Sequence, residues 1–262
     1  MSAAARSLST HRVVVAYDGT NYHGWQVQPE VDTVAGRIAQ ALAAVTGERP
    51  RLRAAGRTDA GVHAHGQVVA FELTAPIAPG ALLRGCNAHL PSDISVLRAR
   101  LAENGFDPRR EAWRRTYRYL LRPARVMPSV GAGYAWQVDP RLEVGPMREA
   151  AAALIGTHDF AQFGSSPEAG GSTRRTLDEA AITVAGGIVR VEIRADAFLR
   201  GMLRNLVGAL VLIGNGSLAL SDFRTALARP ASGLGRWRPA PAHGLHQWRV
   251  EYHRPAMLGV RI

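Results

Sequence analysis

Apolar residues along this chain recur in two rhythms, every second position in short runs and every third or fourth position in longer ones, which predicts strands and helices respectively. Arg12 to Tyr17, Arg51 to Ala55, Val68 to Leu73 and Ile94 to Leu101 read as strands, and Thr33 to Val45 and Pro79 to Asn87 as helices. The order is βαββαβ. From Arg115 it recurs: a strand through Leu121, a helix from Pro146 to Ile155, strands Ala181 to Ala185 and Ile188 to Arg194, a helix from Leu199 and a last strand near Trp248 to Tyr252. Gly186-Gly187 is a two-residue hairpin signal. Val189, Val191 and Ile193 face one way and Arg190, Glu192 and Arg194 the other, so this sheet buries one side and offers charge on the other.

The helix after Phe198 has the clearest pattern. Leu199, Met202, Leu203, Leu206, Val207, Leu210 and Val211 fit the i, i+3, i+4, i+7 template of a buried amphipathic helix. Arg200 and Arg204 fall at the edge of that stripe, where a guanidinium needs an anion or a route to solvent.

Antiparallel sheets with helices packed on one face make an α+β fold. Two domains are expected, residues 1–104 and 105–262, because Asn104-Gly105 and Pro108 punctuate the chain between Leu101 and Arg115. Pro, Gly and Ser mark longer loops at Arg122 to Gly133, Gly164 to Thr173 and Pro230 to Pro241. The last carries Arg236-Trp237-Arg238, which could stack on a base or simply cover apolar surface.

Charge changes the picture. Thirty-two basic residues, every one an arginine, stand against twenty-one acidic ones, for a formal charge of +11. Guanidinium is planar, permanently charged and suited to two-point contact with phosphate, so the balance favours a polyanion such as RNA or DNA as partner. Compositional drift explains the missing lysine but not the excess charge. The single cysteine, Cys86, excludes an intramolecular disulfide framework and a multi-cysteine zinc site, and its leucine neighbours make it a small core residue. No stretch approaches the ~20 apolar residues that cross a bilayer, and Met1 to Thr10 lacks the apolar run of a signal peptide, so a cytosolic protein without membrane contact is expected.

The candidate chemistry lies in Gly56-Arg57-Thr58-Asp59-Ala60-Gly61-Val62-His63-Ala64-His65, between two predicted strands. An Asp in a Gly-rich turn is by default a turn former. Here Arg57 lies close enough in sequence to hold Asp59 ionised, and flanking strands would fix the turn so that the carboxylate is presented, partly desolvated, to a substrate. His63 and His65 share a strand face, and with Asp59 they could instead hold a divalent metal, as in a phosphodiesterase acting on nucleic acid. No further Asp/Glu/His cluster has recognisable ligand spacing.

This run resembles the signature of the tRNA pseudouridine synthase A family, and Gly66-Gln67-Val68 continues it. Tyr17 to Gln28 (YDGTNYHGWQVQ) looks like the family's N-terminal motif, and Asn87 to Val96 (NAHLPSDISV) like the segment closing its first half. Arg115 to Tyr119 (RTYRY) and Phe198 to Gly208 (FLRGMLRNLVG) are similar to its two later motifs. The ordered resemblance runs from about residue 12 to 252. It implies two ferredoxin-like or RRM-like βαββαβ domains whose sheets join, a basic cleft between them, and a homodimer.

By that resemblance the activity is conversion of uridine to pseudouridine in the anticodon stem-loop of tRNA, with no cofactor and no metal. Asp59 is then the catalytic carboxylate, Tyr117 packs on the target uracil, Arg204 lies against the aspartate, and Arg57 fills the space left by a flipped base. Tyr119 is a core ring. Two runs depart from the family pattern: Phe106-Asp107-Pro108-Arg109-Arg110, where a Phe-His-Ala-Arg-Phe-like run is usual, and His246-Gln247, commonly Tyr-Leu. A non-catalytic RNA-binding protein would also explain charge and topology, but neither Arg51 to Ala55 nor Val68 to Leu73 has the aromatic-rich pattern of an RRM platform.

Overall fold

The computed structural model describes residues 8–74, 76–228 and 238–253. In chain order its elements are β1 (Ser9–Tyr17), α1 (Val34–Thr46), β2 (Arg53–Ala54), β3 (His63–Leu73), α2 (Pro79–His89), β4 (Ile94–Leu101), β5 (Ala112–Pro123), β6 (Trp136–Val138), α3 (Val144–Ala152), β7 (Gly156–Asp159), β8 (Arg174–Ala185), β9 (Ile188–Ala195), α4 (Met202–Gly214), α5 (Leu220–Ala228) and β10 (Leu245–Tyr252). The fold is α+β, as expected. Packing divides it into two units: the described residues up to Trp113 together with those from Gln247 on, and Arg114–His246.

In the first unit β1 lies between β4 and β3 and is antiparallel to both, with Val14 opposite Arg98 and Val68. On its other side β3 neighbours β10. Val13 and Val15 of β1, Val69, Phe71 and Leu73 of β3, Val34, Ile38 and Leu42 of α1, and Leu82 and Cys86 of α2 form one buried cluster. The helical members recur at i, i+4 and i+8, a single stripe per helix, and each large side chain removed from water contributes roughly 1.5–3 kcal/mol. Thr33 starts α1 by accepting the Gly36 N–H at 3.3 Å, and Gly47 (φ 74°) ends it in the left-handed conformation. A second cluster on the other side of β3 joins Ala55, Val68 and Ala70 to Phe106 and Val250. With both faces covered, β3 carries the nearly continuous apolar run Val68 to Phe71 instead of strict alternation.

Residues 105–113 and 247–253 pack with this unit, whereas the division expected at 104/105 placed both stretches in the second. The Tyr252 ring lies 5.4 Å from Phe106, the Arg12 guanidinium sits over both rings, and the Tyr252 hydroxyl donates to Pro108 O at 2.8 Å. The turn at Asn104-Gly105 does form, with Gly105 at φ 82° and the Phe106 N–H donating to Glu103 O at 3.1 Å, but a tilted ring pair and a cation–π contact keep the chain after it in this unit.

In the second unit β9 lies between β5 and β8, antiparallel to both, with Tyr117 opposite Ile193 and Tyr119 opposite Val191. Val189, Val191 and Ile193 are buried, and Arg190 is exposed, as the alternation predicts. Gly186 and Gly187 both have positive φ, 56° and 73°, which the tight hairpin requires. Rings of Phe160, Phe163 and Phe223, the last on α5, meet edge to face in the core.

Local differences from the sequence reading have local causes. The short β6 and β7 and the nine-residue α5 lack enough periodicity to announce themselves. Of the run Arg51 to Ala55 only Arg53 and Ala54 pair, against Ala70 and Val69. Helix α3 starts earlier than expected, because Pro146 fits a first turn whose N–H groups have no intrahelical partner. Helix α4 starts later: Gly201 (φ 75°) precedes it, and Arg200 lies outside it in a backbone bridge to Ser165. Arg236 and Trp237 lie outside the described residues. Among the described residues no helix is long and apolar enough to cross a membrane.

Candidate functional site

Between β2 and β3 the chain makes the turn that carries Arg57 and Asp59. Gly61 (φ 77°) lets it close, and the Val62 N–H donates back to Asp59 O at 3.2 Å. Thr58 points inward, its hydroxyl 2.8 Å from the Tyr17 hydroxyl in a buried contact, while its neighbours Arg57 and Asp59 are exposed.

The turn is held by the loop after β1. The Trp25 N–H donates to Thr58 O at 3.0 Å, and the Gly61 N–H to Tyr22 O at 3.4 Å. The approach is close enough to require glycine on the loop side: a Cβ on Gly19 would stand 2.1 Å from Val62 O, and one on Gly24 (φ 88°) 2.8 Å from Thr58 O. Trp25 and Tyr22 are buried beneath. The YDGTNYHGW run is therefore a clasp around the aspartate turn.

Two carboxylates inside the clasp escaped the sequence reading. Asp18 Oδ1 accepts the Thr20 N–H at 2.9 Å and the Thr20 hydroxyl at 2.6 Å, and it lies 3.0 Å from His63 Nδ1. That ring nitrogen also faces the Gly19 N–H at 3.1 Å. Asp93 accepts the Tyr22 hydroxyl at 2.6 Å, while its carbonyl accepts the Asp18 N–H at 2.9 Å. Burial and the Asp93 carboxylate together push the Tyr22 phenol well above its ordinary range. Behind Asp93, the Asn87 side chain donates to Val96 O at 2.8 Å and accepts the Val96 N–H at 2.7 Å. Three runs far apart in sequence, 17–28, 56–68 and 87–96, thus fold against one another. The signal that could have found Asp18 and Asp93 is their place inside two of the quoted motifs.

His63 and His65 do not act as a pair. His63 is buried against Asp18 and Gly19, whereas His65 is exposed with its ring 4.4 Å from Trp248. Among the described residues no group of three His, Cys, Asp or Glu side chains converges as metal ligands would. The aromatics do not form an RRM platform on β3 either, since Phe71 is fully buried and stacked on His11. Cys86 is buried as expected, and burial pushes its thiol up to about 11.

In the second unit Tyr117 sits mid-strand on β5, 8 % exposed, with the Phe198 ring edge-on at 5.0 Å. The two later motifs therefore meet. Arg204, in the first turn of α4 and half-buried, donates from Nε to Ala240 O at 2.7 Å, and its own carbonyl accepts the Ala240 N–H at 2.9 Å. Gly208, one turn on, must be glycine, because a Cβ there would lie 2.1 Å from Arg238 O. Tyr119 is a core ring, 1 % exposed; its hydroxyl donates to Pro241 O at 2.7 Å, and its ring fills the space a Cβ on Gly244 would need. Burial raises its phenol far above the ordinary value, with the Arg204 charge acting the other way. His246 is buried and held by the Tyr134 carbonyl at 2.9 Å.

Comparison with known proteins decides the family. A model described as tRNA pseudouridine synthase matches residues 13–106 and 150–253. The chain belongs to the tRNA pseudouridine synthase family. It is 40% identical over 241 residues to a tRNA pseudouridine synthase A of Neisseria meningitidis, covering 92% of this chain and 91% of that one. A Neisseria gonorrhoeae protein of the same description is 39% identical, covering 95% and 93%. One from Bradyrhizobium diazoefficiens is 37% identical, covering 92% and 99%. The chain is accordingly an enzyme, an isomerase of uridine in tRNA. Asp59, Arg57 and Arg204 fall inside the two matched segments, and Tyr117 falls between them.

Proposed function

We propose that this enzyme converts uridine to pseudouridine in the anticodon stem-loop of tRNA, with Asp59 as its catalytic carboxylate. The observation that carries the reading is the presentation of Asp59. Its turn is braced by the loop of one other family motif, which a third motif holds in turn, while the residue itself faces outward, which is how a fixed reactive group meets a macromolecular substrate. The excess of arginine supplies the attraction for the phosphate backbone.

The reaction is an internal exchange of bonds. A uridine is turned out of the arm, the bond between N1 and the ribose C1′ breaks with help from the Asp59 carboxylate, the uracil rotates in place, and C5 bonds to C1′. The proton lost from C5 is balanced by one gained at N1, so no oxidant, reductant or nucleotide is consumed. Tyr117 packs on the uracil, Arg204 lies against the aspartate, and Arg57, exposed beside Asp59, occupies the place of the extruded base. The family resemblance supports these roles, together with ferredoxin-like domains lining a basic cleft, a cytosolic location and a homodimer.

The test is incubation of the purified protein with an unmodified tRNA transcript in the presence of a chelator, followed by mapping with a carbodiimide that marks pseudouridine. Product in the anticodon arm, on RNA of unchanged length, is expected from the wild type and none from Asp59→Asn with tRNA binding retained. Product from Asp59→Asn at the wild-type rate, or strand scission, overturns the reading.

A further inference from the structure

Gln67 and Gln247 are each fully buried, and they form a chain of amides that ends on the aspartate turn. Gln67 Nε2 donates to Gly56 O at 2.7 Å, and Gln247 Nε2 donates to Gln67 Oε1 at 3.2 Å. The direction of this chain is forced. A carbonyl only accepts, so Gly56 requires the amide nitrogen of Gln67; the Gln67 oxygen must then face Gln247, which must offer its own nitrogen. The consequence falls on the last member, because the Gln247 Oε1 is buried with no partner among the described residues. A leucine would fill this space without stranding a polar atom, and a stranded buried acceptor is costly. The amide at 247 is explained by the proton it supplies.

That proton fixes the start of the turn. The Ala55 N–H donates to Val68 O at 2.9 Å, so residues 55 and 56 are strapped to 67 and 68 by one backbone bond and one side-chain bond. Beyond Gly56 the chain leaves the sheet, and Asp59 follows three residues later. The carbonyl of Gly56 belongs to the peptide plane that also carries the Arg57 N–H. Holding the carbonyl therefore sets the direction in which the turn departs.

We propose that Gln247 is a positioning residue for Asp59, acting through Gln67 on the Gly56 carbonyl; the inference rests on Asp59 being the catalytic carboxylate. Two substitutions test it by single-turnover pseudouridine formation, tRNA binding and thermal melting. Gln247→Met keeps the volume and removes the donor. The expected result is a rate about 10-fold lower, less than the ~10²-fold that an ångström of misplacement can cost, with tRNA Kd and melting temperature near wild type. Gln247→Glu adds a second readout. Ionised, the carboxylate cannot donate, so the Gln67 amide loses its fixed sense. Protonated, as burial favours, it donates again, so the variant's rate relative to wild type rises as pH falls. A wild-type rate in Gln247→Met overturns the inference, as does rate loss that only tracks loss of melting temperature with no added pH limb in Gln247→Glu. Asp59→Asn, run alongside, separates the layers: if it is active, the assignment of Asp59 fails; if it is inactive while both Gln247 variants match wild type, the positioning role alone fails.

Discussion

The two units hold their candidate residues in different ways. In the second, Tyr117 and Arg204 stand on a strand and a helix, and the regular hydrogen bonds of β5 and α4 fix their backbones. In the first, Asp59 stands on a turn with no ladder of its own, and its place depends on glycines that let a second loop come within contact distance. A regular element tolerates substitution along most of its surface; a turn held by loop-to-loop contacts does not. The sensitivity of the first unit should therefore concentrate at a few small residues, while that of the second is spread over its core.

The largest expected effect is chemical. Asp59→Asn should lower the single-turnover rate on the order of 10³-fold or more while leaving the melting curve unchanged, since the side chain is exposed and packs no core. Next come the glycines of the clasp. Gly19→Ala and Gly24→Ala should each cost about 1–3 kcal/mol in urea unfolding and slow the reaction as well, because the added Cβ meets the backbone of the Asp59 turn. Gly187→Ala, also at positive φ but facing open space at the β8–β9 hairpin, should cost about 1 kcal/mol and leave the rate alone. If Gly187→Ala impairs catalysis as much as Gly24→Ala does, the contrast between the units fails.

A smaller effect belongs to pH. Burial raises the Cys86 thiol from 9.0 to about 11, so the folded state holds this proton more tightly than the unfolded chain does. The stability tied to it is complete below pH 9.0 and is lost as pH rises through about 11. Cys86→Ala should flatten that part of the stability–pH profile without altering activity near neutrality.

Much of this was legible in the sequence, for identifiable reasons. The strand Ile94 to Leu101 and the hairpin at Gly186-Gly187 were placed correctly, because alternation and paired glycines act locally. The Asp59 turn was found from its residue types and from resemblance. What escaped depends on contacts between residues distant in the chain: the seating of Asp18 against His63, the grip of Asp93 on Tyr22, and the attachment of residues 105–113 through Phe106 and Tyr252 to Arg12. Helix α4 began late for the opposite reason, since one left-handed glycine overrides an apolar stripe that runs on through Leu199.

Strand β10 follows every other described element in the chain, yet it pairs with β3 and brings Gln247 to Gln67. During synthesis from the N-terminus, β3 therefore waits beside a missing neighbour until residues 245–252 have been made. The turn that carries Asp59 thus takes its Gln67–Gln247 support from a strand made after all five described helices.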